Sequence, residues 1–345
     1  MKKIVIVSDA WGGQTNGVVT TLTRTQDFLT TRGIECQILG PDRFRSIAMP
    51  GYAEIRLALF PYRKLARLLT ESAPCAIHIA TEGPLGSAAR RYCLKHEIPF
   101  TTSFHTRFPD YVNARLPIPK SWVWAWLRHF HKPSQAIMTA TQSLEEELAS
   151  RGFKRMTRWS RGVDLKQFTP RLAATEKRKK LIYLGRVAVE KNVEAFLNLQ
   201  NKIDADFVVV GDGPAREALE LQYPAAQWRG TQKGAALAAS LAEADCLVFP
   251  SRTDTFGLVM IEAMACGTPV AAFPVQGPLE VVESGISGAL DEDLCVAVTK
   301  ALECDRHRVH ARACEFTWDR AGEQFLQTVT RVSRQRHAAL TPVSS

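Results

Sequence analysis

Short apolar runs alternate with amphipathic stretches along the first half of the chain: Lys3 to Ser8, Ile34 to Leu39, Ala76 to Ala80, Phe100 to Phe104 and Ala136 to Ala140. Such runs, continuous rather than alternating, predict strands buried on both faces. Helical spacing fills most of the intervals, and strands alternating with helices imply a parallel sheet covered on both sides. One helix is expected to begin at a capping box, Ser143 followed three residues later by Glu146, and to stop at Gly152.

The pattern pauses at residues 165 to 180, where "LKQFTPRLAATEKRKK" combines a proline, small residues and a cationic run, and reads as a linker. It restarts with strand-like runs at Leu181 to Leu184, Phe207 to Val210, Cys246 to Phe249 and Val270 to Phe273. The expected architecture is α/β, two successive Rossmann-like domains facing each other across a cleft. Ligands in such sheets bind at the carboxyl ends of the strands.

Composition adds limits. At 345 residues and 46% hydrophobic content the chain can bury two cores. No apolar run reaches the roughly 18 residues that span a bilayer, and two lysines lead straight into a strand rather than a signal peptide, so a cytoplasmic protein is expected. The eight cysteines are scattered without CxxC pairs, which suits reduced, buried thiols. Residues 1–170 carry 24 Lys and Arg against 13 Asp and Glu, whereas the remainder is close to neutral. A field of that sign suits an anionic partner: nucleic acid, an acidic substrate or an anionic membrane face. No nucleic-acid recognition motif accompanies it.

Candidate chemistry begins at "SDAWGGQTNGVVTTL", residues 8–22. Gly12, Gly13 and Gly17 let the backbone approach a bulky anion, and a helix starting near Val18 would aim amides at it; the same glycines also suit a plain tight connection. The loop has neither the G-x-G-x-x-G spacing of a dinucleotide fold nor a P-loop lysine, which weighs against an NAD-dependent oxidoreductase.

The stretch "PSRTDTFGLVMIEAMACGTPVAAFPVQGPLEVV", residues 250–282, says more. Asp254 precedes a turn through Thr255, Phe256 and Gly257; a helix is expected from Leu258 to Ala265, stopped by Gly267, Thr268 and Pro269. One carboxylate then lies before the helix N-terminus and another, Glu262, just over a turn inside it, with exposed amides between. That layout suits a sugar, a diphosphate and a ribose in turn, because carboxylates accept hydrogen bonds from vicinal diols. Taken singly, Asp254 would serve as a helix cap, Arg186 and Lys191 as a solvated cationic face, and His105 as a structural hydrogen-bonding group.

Together these residues resemble the family 4 glycosyltransferases of GT-B fold, whose paired-acid signature is two glutamates separated by seven residues. Here the pair is Asp254 and Glu262, so the first acid is one methylene shorter. "GRVAVEKN", residues 185–192, matches the segment whose arginine and lysine hold the donor diphosphate, which implies that role for Arg186 and Lys191. "VGDGP" matches the turn beneath the nucleotide base, with Gly211, Asp212 and Gly213. "SRGVDLKQFTP" resembles the pre-linker motif, with Arg161 where asparagine is usual. The resemblance also lays the loop of Gly12, Gly13, Asn16 and Gly17 across from the diphosphate, Asn16 orienting the loop or an acceptor hydroxyl, and sets His105 near the donor sugar. Its "FHTRFP" form is similar to enzymes that glycosylate lipids, and the chain is similar to GDP-mannose-dependent mannosyltransferases.

The implied organisation is an acceptor domain over 1–168, a nucleotide-sugar domain over 176–315 and a helix over 316–335 crossing back to the first. The implied reaction moves a hexose from a UDP- or GDP-sugar with retention of configuration and without a cofactor or metal; no DxD-like pair or His cluster stands out as a divalent-cation site. For the acceptor, "IPKSWVWAWLRHFHKP", residues 118–133, is informative: Trp122, Trp126 and Phe130 recur every four residues, beside Trp124, Arg128 and other cationic flanks. This suits the membrane interface, so a lipid acceptor such as diacylglycerol and a peripheral location on the inner membrane face are expected. A soluble sugar or small-metabolite acceptor is the alternative.

Overall fold

A computed structural model describes residues 2–11, 16–49, 52–105, 119–170 and 178–340. The chain divides into two units, residues 1–160 with 318–345, and residues 161–317. The first holds a six-stranded parallel sheet built from β1 (Lys3–Val7), β2 (Glu35–Leu39), β5 (Ala76–Ile79), β6 (Phe100–Phe104), β7 (Ala136–Thr139) and β8 (Met156–Arg158), in the order β2-β1-β5-β6-β7-β8. A separate antiparallel hairpin, β3 (Ser46–Met49) and β4 (Tyr52–Ala58), interrupts it.

Both sheet faces are dry, as the continuous apolar runs require. Val5, Val7, Ile77 and Ile79 pack under Leu65, Leu69 and Leu85 of the helices Tyr62–Ser72 and Pro84–Lys95. Ile4 and Ile6 face Leu22, Phe28 and Phe325, from the helices Gly17–Thr31 and Trp318–Leu340. The long C-terminal helix is thus part of the first unit, and it packs closely: a Cβ on Gly322 would lie 2.2 Å from the Phe28 ring.

The second unit repeats the plan with β9 (Lys179–Leu184), β10 (Ala205–Val210), β11 (Gln227–Trp228), β12 (Cys246–Phe249), β13 (Val270–Ala272) and β14 (Gly288–Leu290), ordered β11-β10-β9-β12-β13-β14. That is the Rossmann order, reversing between β9 and β12, where two loops part and leave room for a ligand.

Two expectations change, and a third falls partly outside the described residues. The unit boundary follows Ser160, and Arg161 to Phe168 belong to the second unit, where Val163 N–H donates to Phe316 O at 3.1 Å. The linker expected at 165–180 lies partly outside the described residues. The helix expected to start at Ser143 spans Gln142–Ser150 and is capped by Thr141, whose hydroxyl accepts from Leu144 N at 3.3 Å; this start buries Leu144 and Leu148 together.

Candidate active site

The switch point of the second sheet gathers the candidate donor residues. After β9 the chain turns through Gly185 and a short 3₁₀ turn, Val189–Lys191. After β12 it runs Pro250 to Gly257 before the helix Leu258–Ala265, which spans the residues expected of it. Side chains tie the loops together: Asn192, in the left-handed region at φ 55°, donates from Nδ2 to Pro250 O at 3.2 Å, and Lys191 Nζ donates to Asp254 Oδ1 at 2.5 Å.

Asp254 is therefore no helix cap. Its second oxygen, Oδ2, is buried without a hydrogen-bond partner. Arg186, also half-buried, has its guanidinium pulled below its ordinary value by burial, with Glu190 acting in the opposite sense. The position before the helix is Gly257 at φ 83°, and no side chain caps the first turn. The loops at this switch point thus carry two cations, Arg186 and Lys191, and lead to a helix N-terminus without a side-chain cap, groups that suit a phosphate. Thr255 and Phe256 are buried, the latter edge-on to Phe316 with ring centroids 6.0 Å apart. Leu258 opens the helix, and Glu262 lies half-buried in it, flanked by buried Ile261 and Ala263. Below it, burial pushes the Cys266 thiol up to about 12, with Glu262 adding to the shift.

Gly211 and Gly213 are explained by backbone proximity. A Cβ on Gly211 would stand 1.8 Å from Gly185 O, and one on Gly213 would stand 2.3 Å from Val187 O. Val187 N–H donates to Asp212 O at 2.9 Å, so the turn after β10 is locked against the Arg186 loop. The exposed Asp212 side chain pairs with Arg216 at 3.4 Å.

In the first unit Gly12 and Gly13 lie outside the described residues. Asn16 caps the helix Gly17–Thr31, its side chain accepting from Val18 N at 3.1 Å and Val19 N at 3.0 Å. Its amide oxygen is thus engaged in starting the helix. His105 follows β6, half-buried, its ring edge-on to Trp159 with centroids 5.5 Å apart. Residues 106–118, the rest of "FHTRFP" included, lie outside the described residues. Arg161 is buried, and burial lowers its guanidinium to about 9.

The helix Lys120–His131 corrects the expected aromatic stripe. Trp122 is 72% exposed and Trp126 40%, but Trp124 and Phe130 are core residues. Trp124 stacks on Phe104 with Arg151 4.2 Å from its ring, and Phe130 joins the cluster beneath the helices. Residues four apart drift by about 40° per step around a helix, which carries Phe130 inward. Arg128 is exposed and donates to Arg151 O at 3.2 Å.

Two polar groups at strand ends went unpredicted. Asp9, just past β1, accepts from Leu85 N at 2.8 Å, Gly86 N at 3.2 Å and Thr81 Oγ1 at 2.8 Å, and burial raises its carboxyl above the usual range. It caps the helix Pro84–Lys95, whose own cap position is Gly83. Glu82 lies 3.2 Å from His131 Nε2, whose Nδ1 meets Thr102 Oγ1 at 2.9 Å. Their only sequence signal was an acid just after a buried strand. Two Asp-x-Asp triplets also occur and have protein partners: Asp204 and Asp206 take Arg178 at 2.9 and 3.3 Å, Asp291 takes Lys300, and Asp293 caps the helix Leu294–Ala301.

Comparison with known proteins identifies this arrangement. Residues 15–167 match the family described as Glycosyltransferase Family 4, and residues 178–303 match Glycosyl transferases group 1. The chain belongs to these glycosyltransferases. It is 29% identical over 315 residues, 84% of either chain, to a GDP-mannose-dependent alpha-mannosyltransferase of Mycolicibacterium smegmatis. It is 28% identical over 289 residues to the sulfoquinovosyl transferase SQD2 of Arabidopsis thaliana, covering 76% of this chain and 56% of that one. Among solved structures, Anabaena HepE in complex with UDP and glucose superposes with a TM-score of 0.72 at 13% identity, over 96% of this chain and 100% of that one. The fold is therefore GT-B, with two Rossmann-like halves. No helix among the described residues is long and apolar enough to cross a membrane.

Proposed function

We propose that the protein transfers a hexose from a UDP- or GDP-linked sugar to a membrane lipid, with retention of anomeric configuration and without a metal. The observation that carries the donor half is the Lys191 and Asp254 pair, which joins the loop after β9, where Arg186 also lies, to the loop that leads into the uncapped helix Leu258–Ala265. Arg186 and Lys191 neutralise the departing diphosphate, the work a divalent cation does elsewhere, with the first-turn amides completing the cradle. Lys191 exchanges Asp254 for phosphate, and the carboxylate turns to the sugar hydroxyls. Glu262 holds the ribose diol, and the Gly211 to Gly213 turn lies beneath the base.

In the chemical step the bond from the anomeric carbon to the phosphate oxygen breaks. The acceptor oxygen bonds to the same face of that carbon, and its proton passes to the leaving phosphate. No protein nucleophile takes part. His105 steadies the sugar near the reaction centre.

A lipid acceptor is supported by exposed Trp122 and Trp126 beside Arg128, and by relatives whose names include a phosphatidylinositol dimannoside mannosyltransferase of Mycobacterium tuberculosis. The protein would then work at the inner face of the membrane as a peripheral enzyme. The testing experiment is turnover of a panel of UDP- and GDP-sugars, GDP-mannose first, in EDTA with and without diacylglycerol vesicles. One donor consumed faster with vesicles is expected; vesicle-independent turnover would place the acceptor in solution, and loss of turnover in EDTA would restore a metal.

A further inference from the structure

The first unit is lopsided. Among its described residues the exposed large hydrophobics, Ile47, Leu59, Phe60, Leu94, Trp122 and Trp126, all sit on the hairpin, the corner after it, or the helices Pro84–Lys95 and Lys120–His131. The described residues of the helices Gly17–Thr31 and Trp318–Leu340, over the other sheet face, add none. Charge leans the same way: residues 41–72, 84–95, 120–132 and 142–150, the last packed beside the helix Lys120–His131, carry twelve Lys and Arg against six Asp and Glu, while residues 17–31 and 318–340 carry five against three.

The layer is continuous through its cations. Lys64 lies over Phe44, Arg91 over Tyr62 and Arg90 over Phe130, and Arg90 donates to the carbonyls of Phe130 and His129 at 2.9 Å. At its corner Phe60 is 96% exposed and held at φ 47°, a left-handed conformation that bulky side chains rarely adopt. The corner is pinned on both sides: Leu59 N donates to Arg45 O at 2.7 Å, and Leu65 N donates to Pro61 O at 2.9 Å. Phe60 is thus a fixed, projecting aromatic, and two exposed arginines lie close to it along the chain: Arg45, whose carbonyl accepts from Leu59 N, and Arg63, three residues on. An apolar tip with cations nearby is the chemistry of an interfacial anchor on anionic lipid.

We propose that this face docks on an anionic lipid bilayer, with Phe60 entering the boundary between headgroups and acyl chains. The proposal extends the lipid-acceptor reading, on which it rests for its biological sense, to residues outside the donor site. It is tested by cosedimentation of the full chain with phosphatidylglycerol and phosphatidylcholine vesicles, against phosphatidylcholine alone. Phe60→Asn suits the left-handed backbone, so the variant should fold and melt as well as the parent, yet bind mixed vesicles about tenfold more weakly. Arg45→Glu with Arg63→Glu should weaken mixed-vesicle binding at least about tenfold, more so at low salt. Hydrolysis of the donor in lipid-free solution should stay at the parent rate in both.

Parent-like vesicle binding by both variants, or equal binding of the parent to neutral and anionic vesicles, would overturn the docking face. Lipid glycosylation alongside that result would leave the acceptor reading standing. Weakened vesicle binding by both variants without any lipid glycosylation by the parent would instead retain the docking face and remove the acceptor reading.

Discussion

Lys191 Nζ lies 2.5 Å from Asp254 Oδ1, across 63 residues of sequence, while Oδ2 of the same carboxylate is buried with no hydrogen-bond partner. The pair joins the loop after β9 to the loop after β12, and it offers a buried acceptor beside a cation. If Lys191 neutralises the leaving diphosphate, Lys191→Ala should lower kcat by about 10²- to 10³-fold, with Lys191→Arg recovering only part because its planar fork cannot replace a point charge. Asp254→Asn should keep donor binding within a few-fold while lowering turnover. Steady-state kinetics on the preferred donor check both, and a Lys191→Ala enzyme at parent rates would remove the role.

Glu262 sits half-buried on a helix that is otherwise apolar, where a carboxylate is retained at a desolvation cost. Glu262→Ala should weaken binding of the free nucleoside diphosphate by about 2 kcal/mol, the loss of a charged hydrogen-bonded contact. Titration calorimetry with UDP and GDP reads this without any acceptor. Equal loss with the bare diphosphate would place the contact on phosphate rather than on ribose.

Asp291 and Asp305 have carboxyls held below the ordinary 3.8, first by backbone amides of Asp293 and Arg308 respectively. A depressed folded-state value adds stability that is present above 3.8 and lost as pH falls through the folded value. Asp291→Asn with Asp305→Asn keeps an oxygen to accept the Asp293 amide and the cap of the helix Arg306–Ala313 but removes the titration, so its melting temperature should fall less steeply than the parent's below pH 3.8. Thermal melts across that acid range measure it.

Much of the fold was legible because buried parallel strands print continuous apolar runs: Phe100 to Phe104 and Cys246 to Phe249 match to the residue. The hairpin Ser46–Met49 and Tyr52–Ala58 was not read, since its strands form no core run and carry Arg56 and exposed Ile47. Ser143 and Thr141 are equally good caps in sequence; burial of Leu144 and Leu148 decides between them. The acid, arginine and lysine of the donor loops could be found by their spacing, but not the Lys191 and Asp254 contact, which is tertiary. Asp9 was illegible for the same reason: the amides it caps lie 76 and 77 residues downstream. Trp124 and Phe130 looked interfacial because spacing reports a helix face and not what covers it.

Gly211 separates conformation from space most clearly. Its φ of 146° is open to glycine, and an added Cβ would stand 1.8 Å from Gly185 O, a backbone atom that is itself fixed by Gly185 N donating to Val210 O at 3.0 Å. Gly234, by contrast, has φ 57° and nothing within 4 Å of an added Cβ. Gly234→Ala therefore meets only the backbone penalty, about 1 kcal/mol, whereas Gly211→Ala adds a steric clash against an atom that cannot withdraw and should destabilise by at least about 3 kcal/mol. Urea unfolding of the two variants measures the difference. Because Gly211 also seats the turn against the Arg186 loop, nucleotide affinity should fall in Gly211→Ala even where the protein is still folded, and remain unchanged in Gly234→Ala.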